Sequence, residues 1–150
     1  MRLRAIAISL TLALTAAGAL AVATNAAKSP TVKTRHSAAV GTYLVDAKGK
    51  SLYLFKKDTG KTSKCAGMCA QAWPPLTVNG SPKAGSGVKA SKLSTSKRTG
   101  GARQVTYNGH PLYHFSGDSK AGDTNGQGSQ AFGARWYLVT KSGKAITGGY

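Results

Sequence analysis

The sequence predicts an all-β (mainly β) domain, a small sandwich or barrel-like arrangement of roughly six to eight strands built from two related hairpin-containing repeats. Three observations predict it. "LYLFKKD" (Leu52 to Asp58) returns sixty residues later as "LYHFSGD" (Leu112 to Asp118), with Leu, Tyr, Phe and Asp in the same places. Apolar residues recur two apart on both sides of Lys48-Gly49 and of Asn108-Gly109, which is the period of a strand. No stretch carries the spacing of a long amphipathic helix.

Taken in chain order, residues 1–26 read as an export signal: Arg2 and Arg4, an apolar stretch from Ala5 to Ala23, then small residues at Ala21, Ala23 and Ala26. An uncleaved anchor is the alternative, since the apolar stretch approaches the roughly 20 residues that span a bilayer. Residues 27–40 are polar, include Pro30 and lack periodicity, so a flexible arm is expected there. The single domain is expected over 41–150, with its repeats at about 41–78 and about 101–140.

In the first repeat, "TYLVDAKGKSLYLF" reads as a hairpin turning at Lys48-Gly49. Its counterpart "QVTYNGHPLYHF" carries Asn-Gly, the pair that supplies positive φ in a two-residue turn. Val45 and Val105, and Gly49 and Gly109, share the offset of sixty, and Trp73 and Trp136 recur at a different spacing. Pro111 cannot donate to a ladder, which suggests an edge strand. Ser63 to Ala72 offers at most a short helical turn around Cys65 and Cys69, stopped by Pro74 and Pro75. Asn79 to Gly101 is rich in Lys, Ser and Gly and reads as loop, with one short strand near Val88 to Leu93. "YLVTKSGK" (Tyr137 to Lys144) echoes "YLVDAKGK" (Tyr43 to Lys50) and predicts a closing hairpin that completes the first sheet.

The formal net charge is +17 and Glu is absent. Such a surface attracts polyanions, among them anionic cell-wall polymers or an anionic membrane surface; the simpler reading of the same charge is a solvated cationic surface suited to an extracellular habitat. The lysines are scattered and no aromatic-interleaved basic motif occurs, so no specific nucleic acid is expected. No Ser-His-acid arrangement, phosphate-cradling loop or zinc spacing is present, which leaves hydrolase and kinase chemistry without a carrier and no catalytic residue to assign.

Tyr53 and Phe55 share one face of a strand, as do Tyr113 and Phe115, and supply aromatic core twice. Asp58 and Asp118 stand where strand gives way to Gly-containing loop, suited to accepting backbone N–H bonds; the alternative pairs them as acid and base, or as cation ligands, across a two-fold axis. Cys65 and Cys69, in an exported chain with no other Cys, suit a disulfide. The alternative is a redox or copper site of Cys65, Met68 and Cys69, joined by His110 or His114. Trp73 stands where a dinuclear copper centre would place a His, and two His four apart on a strand are separated by about 13 Å. "DTNGQG" (Asp123 to Gly128) opens like a calcium loop, but Ala134 occupies the place of the closing Glu.

These residues resemble a bacterial secreted-repeat family, described mostly in lipoproteins, with a Tyr-x-aromatic-x-x-Asp motif and no assigned function. Tyr53, Phe55 and Asp58 match the motif, and so do Tyr113, Phe115 and Asp118. Cys65, Cys69 and Trp73-Pro74-Pro75 are similar to the family's Cys-x-x-x-Cys and Trp-Pro-Pro elements, and Trp136 to its later Trp. No Cys precedes Cys65, so the lipid-bearing Cys of lipoprotein members has no counterpart. The resemblance implies an exported domain without known catalysis: a non-enzymatic binding or structural role and no cofactor.

Overall fold

A computed structural model describes residues 31–148. The export-signal reading of residues 1–26 lies outside them. Among the described residues eight strands form three small antiparallel sheets: β1 (Val32–Ser37) with β2 (Gly41–Asp46); β3 (Tyr53–Phe55) with β8 (Ala134–Leu138) and β7 (Gln130–Ala131); and β4 (Leu93–Lys97) with β5 (Arg103–Tyr107) and β6 (His110–Pro111). The fold is mainly β, as the period-two pattern predicts, and the sheets do not close into a barrel. One short helix, α1 (Met68–Ala72), begins inside the cysteine loop and ends before Trp73.

Two expectations are corrected, and they concern equivalent strands of the two repeats. Val32–Ser37, expected in the flexible arm, pairs with β2 along its whole length. Leu93–Lys97, expected as loop with the strand placed earlier at Val88 to Leu93, pairs in full with β5; a 3₁₀ turn over Ala90–Lys92 precedes it. β1 and β4 are the outer strands of the two repeats. Each is polar and only partly covered, so neither carries the apolar alternation by which strands are recognised.

The hairpins differ by one residue in their turns. In the second, Tyr107 pairs with His110, and Asn108 and Gly109 between them have φ of 49° and 84°, the two positive values such a turn demands. In the first, the Asp46 N–H bonds the Lys50 carbonyl, so Ala47, Lys48 and Gly49 make a three-residue turn with Gly49 at φ 83°. The added residue shifts everything upstream. The Leu52 N–H bonds Leu44, whereas the Leu112 N–H bonds Val105. Val105 therefore corresponds to Leu44 rather than Val45: the offset is sixty after the turn and sixty-one before it. A one-residue slip exchanges faces, so Val45 joins an aromatic cluster and Val105 an aliphatic one.

Those two clusters are the core, and the repeated hairpins supply both. Tyr53 and Phe55 enter the aromatic cluster with Cys65, Cys69, Trp73, Tyr113 and Trp136. Leu52 and Leu54 enter the aliphatic one with Leu44, Leu76, Val105 and Leu112. Both faces of β3 are thus covered, as a strand apolar on both sides requires. The closing hairpin forms too: Thr140 N–H bonds Lys144, and Leu44 N–H bonds Val139, joining the chain's end to β2.

Candidate functional site

At the centre, Tyr53 N–H bonds Tyr113 O at 2.8 Å and Tyr113 N–H bonds Tyr53 O at 3.0 Å, a reciprocal antiparallel pair. Its outer neighbours match across the centre. Tyr53 pairs on its other side with Leu138, and Tyr113 with Pro75. Lys56 N–H bonds Arg135 O, and Ser116 N–H bonds Ala72 O. The repeats are therefore related by an approximate two-fold axis through the two tyrosines. Trp73 to Thr77 and Trp136 to Thr140 are equivalent segments.

The motif residues bond across this axis rather than within their own copy. The Tyr53 hydroxyl donates to Asp118 Oδ2 at 2.7 Å, and the Tyr113 hydroxyl donates to Asp58 Oδ2 at 2.8 Å. Each aspartate offers its other oxygen to its own loop: Asp58 Oδ1 accepts Lys64 N–H at 2.7 Å and Asp118 Oδ1 accepts Asn125 N–H at 2.9 Å. Burial raises both carboxyl groups above the ordinary aspartate value, against the hydrogen bonds that lower them. Burial, reinforced by the facing carboxylate, pushes both phenols far up, so they remain donors. As loop caps with a tyrosine on the second oxygen, Asp58 and Asp118 lack the shared reacting position that an acid–base pair needs.

The rings follow the same exchange. Phe115 lies 4.4 Å from Trp73, Trp73 stacks on Trp136 at 3.9 Å, and Trp136 stacks on Phe55 at 4.0 Å, a four-ring column alternating between repeats. Tyr53 meets Trp73 edge-on at 5.3 Å, and Tyr113 meets Trp136 edge-on at 5.1 Å. Such offset and T-shaped pairs add to the stabilisation from ring burial alone.

Cys65 and Cys69 form a disulfide, buried against this column. Both thiols are thereby consumed, and Met68 between them is 77% exposed, turned away from the two sulfurs. Arg98, which no sequence motif marks, fastens the loop: its guanidinium donates to Ser63 Oγ at 2.9 Å, Gln104 Oε1 at 2.6 Å and Cys65 O at 2.6 Å. Of the two histidines considered as ligands, His110 sits on β6, where burial, with Lys56 nearby, depresses its pKa. His114 instead bonds Asp46 Oδ2 at 3.0 Å. Among the described residues no three of His, Cys, Asp or Glu converge as metal ligands. The Asp123 carboxylate, in the loop that opens like a calcium site, turns back on Ser119 N–H and Lys120 N–H, each at 2.9 Å.

A cleft of ≈ 320 Å³ opens between the repeats beside Asp118. Asp46, Lys48, Lys50, Ser51 and His114 supply its polar lining, and Pro74 and Phe115 its apolar lining. Asp46 is fully engaged: Oδ1 accepts Lys48 N–H and Lys50 N–H, both at 2.9 Å, while Oδ2 faces His114. Burial works to raise its pKa, but the His114 hydrogen bond and the two backbone N–H groups together hold it below the ordinary value. Lys50 Nζ donates to Asp118 O at 2.6 Å. Of this cleft only Pro74, His114, Phe115 and Asp118 stand out in the sequence. Asp46 had one signal, an acidic side chain just before a Gly-containing turn.

No curated protein and no solved structure matches the chain. A family model, described as a secreted repeat of unknown function, matches residues 34–77 and 94–140. Each match begins within or one residue inside an outer strand and ends at the Thr of an equivalent Trp-to-Thr segment, so the family unit and the structural repeat coincide. The chain belongs to this family of secreted repeats, and its two copies of the unit fold as one interlocked body.

Proposed function

We propose that this secreted protein is a non-catalytic module that holds anionic polymers of the cell wall through its cationic surface. One observation carries the reading: all four carboxylate side chains accept backbone N–H bonds in loop caps, and among the described residues none forms a direct ion pair with a lysine or arginine. Asp46, Asp58, Asp118 and Asp123 each accept backbone N–H bonds. Among the described residues the sole ion pair is His114 with Asp46. Lys48, Lys57, Lys64, Lys83, Lys120 and Lys144 lie exposed on different parts of the surface, a distribution that suits a flexible polyanion touching many points rather than one pocket.

The test is retention on immobilised poly(glycerol phosphate) compared with a neutral glycan. Retention is expected on the charged polymer alone, falling as salt shortens the screening length from about 10 Å at 0.1 M to about 3 Å at 1 M. Equal retention on both supports, or none on either at low salt, overturns the reading.

A further inference from the structure

We infer that the cleft between the repeats is a binding site for a carboxylate-bearing sugar ring, which gives the wall-polymer reading on which this rests a specific subsite. The approximate two-fold makes the case. Leu54 and Tyr137 are paired in one half, and their equivalents in the other are His114 and Pro74. Leu54 is 2% exposed and packs into the aliphatic cluster, and Phe55 beside it is also 2% exposed. Where the second copy has His114 and Pro74, the cleft opens and Phe115 is left partly uncovered. The duplication is closed on one side and open on the other, and the open side carries the polar residues.

Its chemistry is that of a site that combines lysine donors with an apolar lining of Pro74 and Phe115. Both acids in its walls are saturated: Asp46 by two backbone N–H groups and His114, and Asp118 by Asn125 N–H and the Tyr53 hydroxyl. Lys48 brings an ammonium with no carboxylate partner among the described residues, and Lys50 has given one of its three N–H donors to Asp118 O. His114 gives Nε2–H to Asp46, which leaves Nδ1, unbonded among the described residues, as the acceptor of the neutral ring and a partner for a sugar hydroxyl. The Phe115 ring and Pro74 give the C–H face of a sugar a surface to lie on, while the lysines meet a carboxylate at its edge. A bare phosphate would use the lysines and gain nothing from Pro74 and Phe115, so it should bind more weakly than the uronate. The volume of ≈ 320 Å³ falls at the lower end of the range for small-ligand sites, about 300–1,000 Å³.

The experiment titrates ¹⁵N-labelled protein with trigalacturonic acid, with a neutral maltotriose and with inorganic phosphate. Expected are amide shifts concentrated at Lys48 to Ser51 and His114 to Asp118 for the uronate, and none there for maltotriose. Lys48→Ala should weaken binding about tenfold, as loss of a charge-assisted contact does. His114→Leu, which installs the residue of the closed copy, should also weaken it, and Lys97→Ala, an exposed lysine of β4 that does not line the cleft, should leave it unchanged. Equal weakening by Lys97→Ala and Lys48→Ala overturns the site while leaving diffuse polyanion retention intact. Phosphate or maltotriose binding in the cleft as tightly as the uronate overturns it too. Loss of retention on poly(glycerol phosphate) by the unaltered protein is a separate outcome and overturns the broader reading.

Discussion

Tyr53 and Tyr113 exchange both backbone hydrogen bonds with each other, and each sends its hydroxyl to the aspartate of the opposite repeat. Neither copy of the motif is complete without the other. This explains why a short chain keeps Tyr, Phe and Asp twice: the duplicated residues are the two halves of one joint. Tyr53→Phe leaves buried Asp118 Oδ2 and the Gly126 N–H without the hydroxyl that joins them. A loss of about 1–3 kcal/mol is expected in urea unfolding. Tyr113→Phe should cost less, because Ser63 Oγ, 2.7 Å from that hydroxyl, remains in the polar cluster beside Asp58. Two neutral substitutions would refute the joint.

The carboxylates give stability a pH dependence of two opposite signs. Burial raises Asp58 and Asp118 above the ordinary aspartate value. A carboxyl whose folded pKa exceeds its unfolded one binds its proton more tightly when folded; the stability it contributes is full below the unfolded value and is lost as pH rises through the raised one. Asp46, held low, contributes above the unfolded value and loses that contribution as pH falls through the depressed one. The stability difference between the wild type and Asp118→Asn should therefore shrink from about pH 3 to about pH 6.5, and the difference from Asp46→Asn should grow. Urea midpoints across that range check both signs.

The disulfide closes a very short loop, so its contribution is modest. In the chain-entropy account a loop of this size is worth about 2 kcal/mol. Cys65→Ala with Cys69→Ala should lower stability by about that amount and leave the sheets intact. Arg98, bonded to Cys65 O and Gln104, still tethers the segment. Intact mass of the native protein should rise by two hydrogens on reduction. Free thiols with stoichiometric copper would instead restore the soft-metal reading of Cys65, Met68 and Cys69.

Gly126 sets how closely its loop approaches the ring column. A Cβ there would meet Trp73 at 2.7 Å and Phe115 at 3.0 Å. Gly126→Ala should destabilise by about 1–3 kcal/mol through overpacking and shift the tryptophan emission. Gly109→Ala is the contrast: nothing lies within 4 Å of its Cβ, and its cost comes from φ 84° alone, about 1–2 kcal/mol.

Much of this fold was legible because strands announce themselves by alternation and Asn108-Gly109 by its demand for positive φ. Tyr53, Phe55, Leu52 and Leu54 lie on the faces that alternation assigns, and the closing hairpin sits where the echo of Tyr43 to Lys50 placed it. β1 and β4 escaped notice because edge strands with polar, half-covered residues have no apolar period. The exchange of partners was hidden for another reason. Tyr53 and Asp58 adjoin in sequence, but a strand carries its hydroxyl across the axis to Asp118, and only the three-dimensional pairing decides which carboxylate it meets. Asp46, Lys48 and Lys50 were invisible as a site because nothing in the linear string brings them to His114.

The one-residue difference between the turns makes the last prediction. Because the offset upstream of the turn is sixty-one, Thr106 occupies in the second repeat the place Val45 holds in the first. Thr106 is fully buried, and its Oγ1 has no hydrogen-bond partner among the described residues. An orphaned hydroxyl costs about 1–3 kcal/mol of desolvation that no bond returns, and valine has nearly the same shape without it. Thr106→Val should therefore raise stability by about 1 kcal/mol, although it replaces a polar residue in a protein whose surface is strongly polar. Val105→Thr is the control, since an offset of sixty would make Val105 the partner of Val45. It places a hydroxyl in the aliphatic cluster and should lower stability by a similar amount or more. Urea unfolding of the two variants decides between the registers, and stabilisation by neither would return Thr106 to the ranks of satisfied core residues.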